Sequence, residues 1–262
     1  MNERSCSYFI RPLKKGLAVA TLMVPLASNA IVGGADTPDG KYPFVASIQF
    51  KDEGTTPLQR HGCGASLIAS DWVLTAAHCL VGTAPSDIDV IVGRTRLNDR
   101  RQGQVLRVQR IVLHPDFLST LAPDVALLKL DRAATGIAPI NLVPRENPLE
   151  NSLKRINVIG WGNTARAPAP DVRPEILQQG KLPRMDDAQC TAIVPNLILQ
   201  NSFCIGADGW IPDAGDSRGP VFTKRLRKGY VQVGVVSQGI VIARLSNPSV
   251  ADFIRKTLDE QP

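Results

Sequence analysis

Ala214-Gly215-Asp216-Ser217-Arg218-Gly219-Pro220 is the stretch of this sequence around which the other motifs are arranged. It places a serine directly behind an aspartate in a glycine-containing segment, near the end of an apolar-rich chain. Turns use the same residue types, so the Gly-Asp-Ser tripeptide is a weak signal on its own. Its meaning depends on whether a base and an orienting acid occur elsewhere in a suitable order.

Two further segments supply those groups. An imidazole comes from His78, directly after Thr75-Ala76-Ala77, and a carboxylate comes from Asp124 at the head of an apolar run. The chain order His, Asp, Ser is one of those in which nucleophilic triads occur. We therefore predict Ser217 as the nucleophile, His78 as the general base and Asp124 as the acid that orients the imidazole. Asp116 is the nearest rival of Asp124 and fits the motif less well.

Residues 1–30 are organised like a secretory signal peptide. Four basic residues precede an apolar run of 12 residues at 16–27, and Ser28-Asn29-Ala30 resembles a small-x-small cleavage site. The apolar run is shorter than the roughly 20 residues that a membrane-spanning helix needs. We expect cleavage after Ala30 and a secreted or periplasmic protein, and an uncleaved apolar anchor is the alternative.

Removal of residues 1–30 leaves a chain with little net charge. The 262-residue sequence has 30 Lys and Arg against 24 Asp and Glu, and the segment takes away four basic residues and one acidic residue, which leaves a formal charge of +3. Such a small excess without a long basic run does not indicate nucleic-acid binding. A chain of this length can bury a full core, either as one all-β domain or as two smaller domains.

The cysteine count predicts disulfides rather than a metal site. Cleavage would remove Cys6 and leave four cysteines, which in an exported chain favours two disulfides. Three pairings are open, and each near-neighbour bridge would contribute roughly 2–4 kcal/mol. A zinc site is the alternative, but no pair has metal-ligand spacing, and we expect no metal and no organic cofactor. The four cysteines are Cys63, Cys79, Cys190 and Cys204.

Short β-rich runs separated by turn signals are typical of a barrel or a sandwich. The segment 133–148 contains three prolines and is predicted to connect two such sets of strands. A short helix is expected near 186–193. Asn247 and Pro248 predict the cap and first residue of a helix at 248–259. The predicted strands are 43–50, 63–69, 72–76, 87–93, 104–113, 125–131, 153–160, 176–183, 202–205, 220–225, 229–236 and 239–244.

Taken together and in order, the motifs resemble the trypsin-like (chymotrypsin-fold) serine proteases over nearly all of residues 31–255. The resemblance implies an all-β fold of two six-stranded antiparallel β-barrels with a C-terminal α-helix. The peptidase domain would be 31–262, with the first barrel at about 43–132 and the second at about 150–245. The motifs are Ile31-Val32-Gly33-Gly34, His61-Gly62-Cys63-Gly64-Ala65-Ser66-Leu67-Ile68, Trp72-Val73-Leu74-Thr75-Ala76-Ala77-His78-Cys79, His114-Pro115, Asp124-Val125-Ala126-Leu127-Leu128-Lys129-Leu130, Gly160-Trp161-Gly162 and Gly215-Asp216-Ser217.

The same resemblance implies how the site is completed. The free amine of Ile31 would fold inward and pair with Asp216, because a buried carboxylate needs a partner. The backbone amides of Gly215 and Ser217 would form the oxyanion hole. A Cys63–Cys79 bridge would pin the loop that carries the imidazole. His61 and His114 are expected in structural hydrogen-bond networks.

The expected specificity pocket consists of Ile211, Ser237 and Gly239. Ser237 matches a family serine that hydrogen-bonds near the triad aspartate, and the segment 235–237 would pair with the substrate backbone. Ile211 lies six residues before Ser217 and cannot pair with Lys or Arg, so we expect a small or apolar residue on the acyl side of the cleaved bond. Two weaker candidates for an acid in the pocket are Asp208 and Asp213.

Three features depart from the family pattern. Arg218 stands where the family has glycine after the nucleophile, a position that suggests a positive φ or a close backbone approach. Asp213 and Gln238 replace a cysteine of the pocket disulfide and a tryptophan, and the segment after Gly239 looks shortened. These departures keep a second hypothesis open, namely a catalytically inactive protease homologue that acts as a protein-binding module.

The sequence therefore predicts a monomeric, exported serine endopeptidase that works through an acyl-enzyme. Its expected partners are protein or peptide substrates and a protein inhibitor, and neither nucleic acid nor, after signal cleavage, a membrane is expected. An esterase of another fold is a further alternative. This chain lacks the acid-before-histidine order of that class.

Overall fold

A computed structural model describes residues 34–163, 173–206, 218–227 and 229–260. These residues are mostly β-structure. Short 3₁₀ helices lie at Ala77–Cys79, Pro85–Asp87 and Leu149–Ser152. The α-helices are α1 (Pro57–Arg60), α2 (Phe117–Thr120), α3 (Asp187–Ile193) and α4 (Pro248–Asp259). The strands are β1 (Ala35–Asp36), β2 (Val45–Phe50), β3 (His61–Ala69), β4 (Trp72–Thr75), β5 (Ile88–Val92), β6 (Gln104–Leu113), β7 (Ala126–Leu130), β8 (Asn141–Leu142), β9 (Arg155–Gly160), β10 (Gln178–Pro183), β11 (Ser202–Cys204), β12 (Pro220–Arg225), β13 (Gly229–Gln238) and β14 (Val241–Arg244).

The first half of the chain closes into a six-stranded antiparallel barrel in the order β2-β3-β4-β7-β6-β5. Closure leaves no strand edge unpaired. Large apolar side chains from these strands fill the interior, among them Ile48, Leu67, Leu74 and Leu106, which are fully buried. The predicted all-β first barrel is confirmed.

The second half forms one sheet of eight strands in the order β1-β10-β9-β12-β13-β14-β11, with β8 pairing in parallel with β13. The described pairings run as an open path from β1 to β11, so closure into a second six-stranded barrel stays a prediction. Two of its strands, β1 and β8, contain two residues each. Strands this short show no periodicity, so the sequence pattern did not predict them.

The C-terminal helix α4 begins where the sequence predicted. The Asn247 side chain accepts hydrogen bonds from the amides of Ser249 (2.8 Å) and Val250 (3.3 Å), as an N-cap does. Pro248 occupies the first turn. Val250 and Ile254 are buried against the core. The helix thus packs an apolar side against the core.

The two halves pack directly on each other next to β3. The Ser66 hydroxyl of β3 donates to Gln232 Oε1 of β13 over 2.7 Å, and both side chains are fully buried. A Cβ on Gly64 would lie 2.9 Å from the Gly219 backbone, so the close approach of β3 to this segment requires glycine at position 64. These contacts fix the start of β12 against β3, where the candidate site residues lie.

The four cysteines form two disulfides, Cys63–Cys79 and Cys190–Cys204. Each bridge joins near neighbours, with sequence separations of 16 and 14 residues. The described residues contain no helix long and apolar enough to span a bilayer. Within the same part of the chain, no group of three or more His, Cys, Asp and Glu side chains is arranged to hold a metal ion.

Candidate active site

His78 is held at the mouth of the first barrel by its neighbours. It lies in the 3₁₀ turn Ala77–Cys79 directly after β4. Ala77 and Cys79 are buried, and the disulfide from Cys79 to Cys63 ties this turn to β3. The imidazole itself keeps 31% of its side-chain surface exposed. The backbone is therefore anchored on both sides while the ring stays accessible.

Asp124 lies against this imidazole. Its side chain is 7% exposed, and Oδ2 lies 2.6 Å from His78 Nδ1 while Oδ1 accepts the His78 backbone amide over 2.9 Å. The Ser237 hydroxyl donates to Oδ2 over 2.5 Å. Because the carboxylate can only accept, the proton of the neutral imidazole must be on Nδ1. His78 Nε2 is then left as an acceptor, as a general base requires.

The environment of Asp124 keeps it ionised. Burial alone would raise the pKa of this carboxyl, but hydrogen bonds from His78 and Ser237 act in the opposite direction, and the pKa lies below its ordinary value. The carboxylate is therefore charged at neutral pH and can stabilise an imidazolium.

A β-bulge brings Ser237 to the carboxylate. The register between β13 and β14 shifts between Val236 and Gln238, so Ser237 is the extra residue of the pair. Bulges redirect a side chain relative to its strand. Gly239 follows in the turn between β13 and β14 with φ of 52°. Ser237 thus contacts the candidate triad, whereas its predicted place in a specificity pocket remains a prediction.

Arg218 is hydrogen-bonded to Nε2 of His78, the ring nitrogen that does not face Asp124. Its Nε donates to His78 Nε2 over 2.6 Å, and its Nη1 donates to the Gly62 carbonyl over 2.9 Å. Its backbone amide donates to the Val236 carbonyl over 2.8 Å. The φ of Arg218 is 84°, in the left-handed region where a side chain costs roughly 1–2 kcal/mol. Glycine at this position was expected to serve either a positive φ or a close backbone approach, and the backbone of Arg218 has the positive φ.

A second arginine lies close by. Arg173 donates from Nη1 to the His61 carbonyl over 2.7 Å, one residue before the carbonyl that Arg218 uses. The pKa of Arg218 is lowered, mainly by burial and further by the like charge of Arg173, although Asp124 opposes the shift. The sequence marked Arg218 as unusual but gave no signal for Arg173, because which side chain reaches β3 depends on the fold.

The imidazole rings of the other two histidines contact hydroxyl groups. His61 Nδ1 is 2.6 Å from the Ser47 hydroxyl in a buried setting. His114 is buried and contacts the Ser249 hydroxyl at 3.0 Å. Asp116, the rival acid, has its carboxylate 3.9 Å from His114 Nδ1 and does not contact His78.

Several predicted site residues lie outside the described residues. This holds for the nucleophile and both oxyanion-hole amides, for the activation ion pair, and for the base of the pocket with its two alternative acids. They are Ser217, Gly215, Ile31, Asp216, Ile211, Asp208 and Asp213.

Comparison with known proteins places the chain in a family. The family model for trypsin matches residues 31–258. The chain is 30% identical to serine protease 28 of Mus musculus over 244 residues, covering 87% of this chain and 86% of that protein. It is 32% identical to trypsin I-P38 of Gallus gallus over 224 residues, covering 84% and 85%.

A solved structure agrees with these relatives. The VesB protease of Vibrio cholerae superposes with a TM-score of 0.72 at 25% identity, covering 88% of this chain and 68% of the other. The match spans most of both chains and supports the chymotrypsin-like fold. This chain therefore belongs to the trypsin family of serine proteases, and it is a hydrolase that acts on proteins or peptides.

Proposed function

We propose that this protein is an exported serine endopeptidase whose catalytic triad is Ser217, His78 and Asp124. The observation that carries the proposal is the pair of hydrogen bonds from His78 to the two oxygens of Asp124, at 2.6 and 2.9 Å. They hold the imidazole in the tautomer whose Nε2 accepts a proton.

The reaction is acyl transfer to water. Ser217 attacks the scissile carbonyl as His78 Nε2 takes its proton, and His78 then protonates the leaving amine. A water molecule then attacks the acyl-enzyme as His78 takes its proton, His78 protonates Ser217 as the ester bond breaks, and the acid product is released. The amides of Gly215 and Ser217 bind the oxyanion, and each such donor contributes roughly 3 kcal/mol.

The remaining assignments complete the proposal. The amine of Ile31 pairs with Asp216 after cleavage at Ala30, so export and activation are one event. Ile211 at the base of the pocket favours a small or apolar residue on the acyl side. The chain is secreted or periplasmic. Its peptidase domain is 31–262, and its eight-stranded sheet contains the second barrel, at about 150–245.

One observation favours a second candidate function. Because the Arg218 side chain donates to His78 Nε2, a serine hydroxyl cannot donate to the same lone pair in this arrangement. A permanently closed site would make the protein an inactive homologue that binds a protein partner.

Covalent labelling separates the two candidates. Mature 31–262 is treated with a fluorophosphonate, and the intact mass is measured, with Ser217→Ala as the blank. Ser217-dependent labelling is expected for the endopeptidase. A folded, correctly processed chain that stays unlabelled, together with an unlabelled Arg218→Gly variant, would refute the proposed endopeptidase.

A further inference from the structure

The inference concerns Arg218 and rests on the proposed function. The Nε2 atom of His78 has one lone pair, and Arg218 Nε–H already occupies it at 2.6 Å. Proton transfer from Ser217 needs that same lone pair. It would also place an imidazolium directly beside a guanidinium, and two like charges at this distance repel. The arrangement with Arg218 on His78 is therefore a resting state, and catalysis requires the arginine to leave.

The resting state is not strongly stabilised. Arg218 has a positive φ, and its guanidinium is partly buried and donates, among the described residues, to His78 and the Gly62 carbonyl. Among the described residues, no carboxylate lies within ion-pair distance of it. Among the described residues, Asp124 is the acid whose charge acts on Arg218, but both of its oxygens are occupied by His78 and Ser237. A desolvated cation without a paired anion is costly, so a carboxylate that enters the cleft would compete well for Arg218.

A second guanidinium group, that of Arg173, adds to the preference of this region for an anion. Arg173 donates to the His61 carbonyl and Arg218 to the Gly62 carbonyl, and the positive charge of Arg173 acts on Arg218. Guanidinium binds carboxylate through two parallel hydrogen bonds, which an amide or hydroxyl cannot match. The chemistry that fits both groups is an Asp or Glu side chain.

The position of the guanidinium indicates which side of the substrate supplies that side chain. The backbone amide of Arg218 donates to the carbonyl of Val236 in β13, next to Ser237 of the expected pocket for the acyl-side residue. Its side chain extends from there to Gly62 of β3. The guanidinium end therefore lies toward the leaving-group side of the scissile bond.

We propose that Arg218 is a latch on His78 that an acidic residue on the leaving-group side of the substrate releases. Peptides with Asp or Glu just after the scissile bond pair with the guanidinium, free His78 Nε2 and are cleaved faster than neutral peptides. Arg218 thereby acts as a specificity-determining residue as well as an inhibitory one.

The test compares wild type with Arg218→Gly, a substitution that suits the positive φ and keeps the fold. A proteome-derived peptide mixture is digested, and the new N-termini are sequenced to find a cleaved sequence. Two peptides based on that sequence then differ only in Glu or Gln on the leaving-group side. We expect wild type to favour Glu at least tenfold in kcat/KM, and Arg218→Gly to lose the preference while cleaving the Gln peptide about tenfold faster.

Matched variants separate charge from backbone effects. Arg218→Gln keeps a polar side chain at the positive φ but removes the charge, and it should also lose the Glu preference. Arg225→Gln removes an exposed arginine at the end of β12 and should behave as wild type.

The outcomes distinguish this inference from the proposed function. Equal Glu and Gln rates in wild type, with Ser217-dependent fluorophosphonate labelling intact, would overturn the inference and leave the endopeptidase standing. Cleavage of both peptides by Arg218→Gly and of neither by wild type would overturn release by an acidic residue. If neither enzyme labels although both are folded, the endopeptidase itself fails and the inference with it.

Discussion

The hydroxyl of Ser237 and the carboxylate of Asp124 are joined by a hydrogen bond of 2.5 Å, on the same oxygen that faces His78 Nδ1. Ser237 reaches Asp124 from the second sheet, whereas His78 and Asp124 both come from the first barrel. The charge state and orientation of the acid therefore depend on contacts from both halves of the molecule.

Ser237→Ala should lower activity without unfolding the protein. Loss of a hydrogen bond to a charged group is worth roughly 1.5–3 kcal/mol, so we expect kcat/KM to fall roughly tenfold or more. The pKa of Asp124 should rise because one of the donors that lowers it is gone. Peptide hydrolysis by purified variants measures the effect. Ser70→Ala, which removes an exposed hydroxyl at the end of β3, is the matched control and should leave the rate unchanged.

Asp124→Asn should reduce fluorophosphonate labelling by up to about four orders of magnitude. An amide can donate to Nδ1 and stabilise the wrong tautomer of His78, so Nε2 no longer accepts a proton. Labelling rates at saturating probe give the comparison. Retention of more than a tenth of the wild-type rate would contradict the role assigned to Asp124.

The same variant tests the pKa of Asp124 through stability. Its pKa is depressed in the folded protein, so the ionised carboxylate stabilises the fold above its unfolded pKa of about 3.9 and loses that contribution as the pH falls further. The melting temperature of wild type minus that of Asp124→Asn should shrink between pH 5 and pH 3. A difference that grows toward low pH would refute the depressed pKa.

Much of the fold and of the candidate site followed from local sequence signals. The apolar runs predicted most strands to within a few residues, although β14 begins at Val241, two residues after its predicted start. Asn247 and Pro248 marked the start of α4 because capping needs only neighbouring residues. His78 and Asp124, 46 residues apart, were paired by motif, and the structure brings them into contact.

The rest depended on contacts between distant segments. The sequence showed that Arg218 replaces a glycine, but the direction of its side chain depends on where β3 lies, 156 residues away along the chain at Gly62. Arg173 reaches the His61 carbonyl across a separation of 112 residues. No periodicity or spacing encodes such contacts, and charge alone would place both arginines in solvent.

His114 should make stability depend on pH in the neutral to mildly acidic range. The Asp116 amide donates to Nδ1 over 3.3 Å, so Nε2 carries the proton and points to the Ser249 hydroxyl. Burial lowers the pKa of His114, although Asp116 and Ser249 oppose the shift. Protonation then favours the unfolded chain, and stability should fall as the pH drops below about 6.5.

The matching measurement uses urea unfolding of wild type and His114→Gln at pH 7.5 and pH 5. Wild type should lose more stability between the two values than the variant, because glutamine does not titrate. Identical losses would mean that other groups cause the pH dependence. The ring centroid of Phe253 in α4 lies 5.1 Å from that of His114, so the imidazole packs directly against this helix.

Arg244 and Glu150 form a buried ion pair that should be sensitive to removal of either partner. Glu150 is fully buried and contacts Arg244, whose Nη2 also donates to the Ser202 carbonyl over 3.2 Å. Burial raises the pKa of Glu150 even with Arg244 beside it, so the ionised carboxylate depends on its partner. Arg244→Met should destabilise the fold by about 3–5 kcal/mol in urea unfolding, because it strands a buried carboxylate. Adding Glu150→Gln should recover part of the loss, whereas additive losses in the double variant would show that the pair is not coupled.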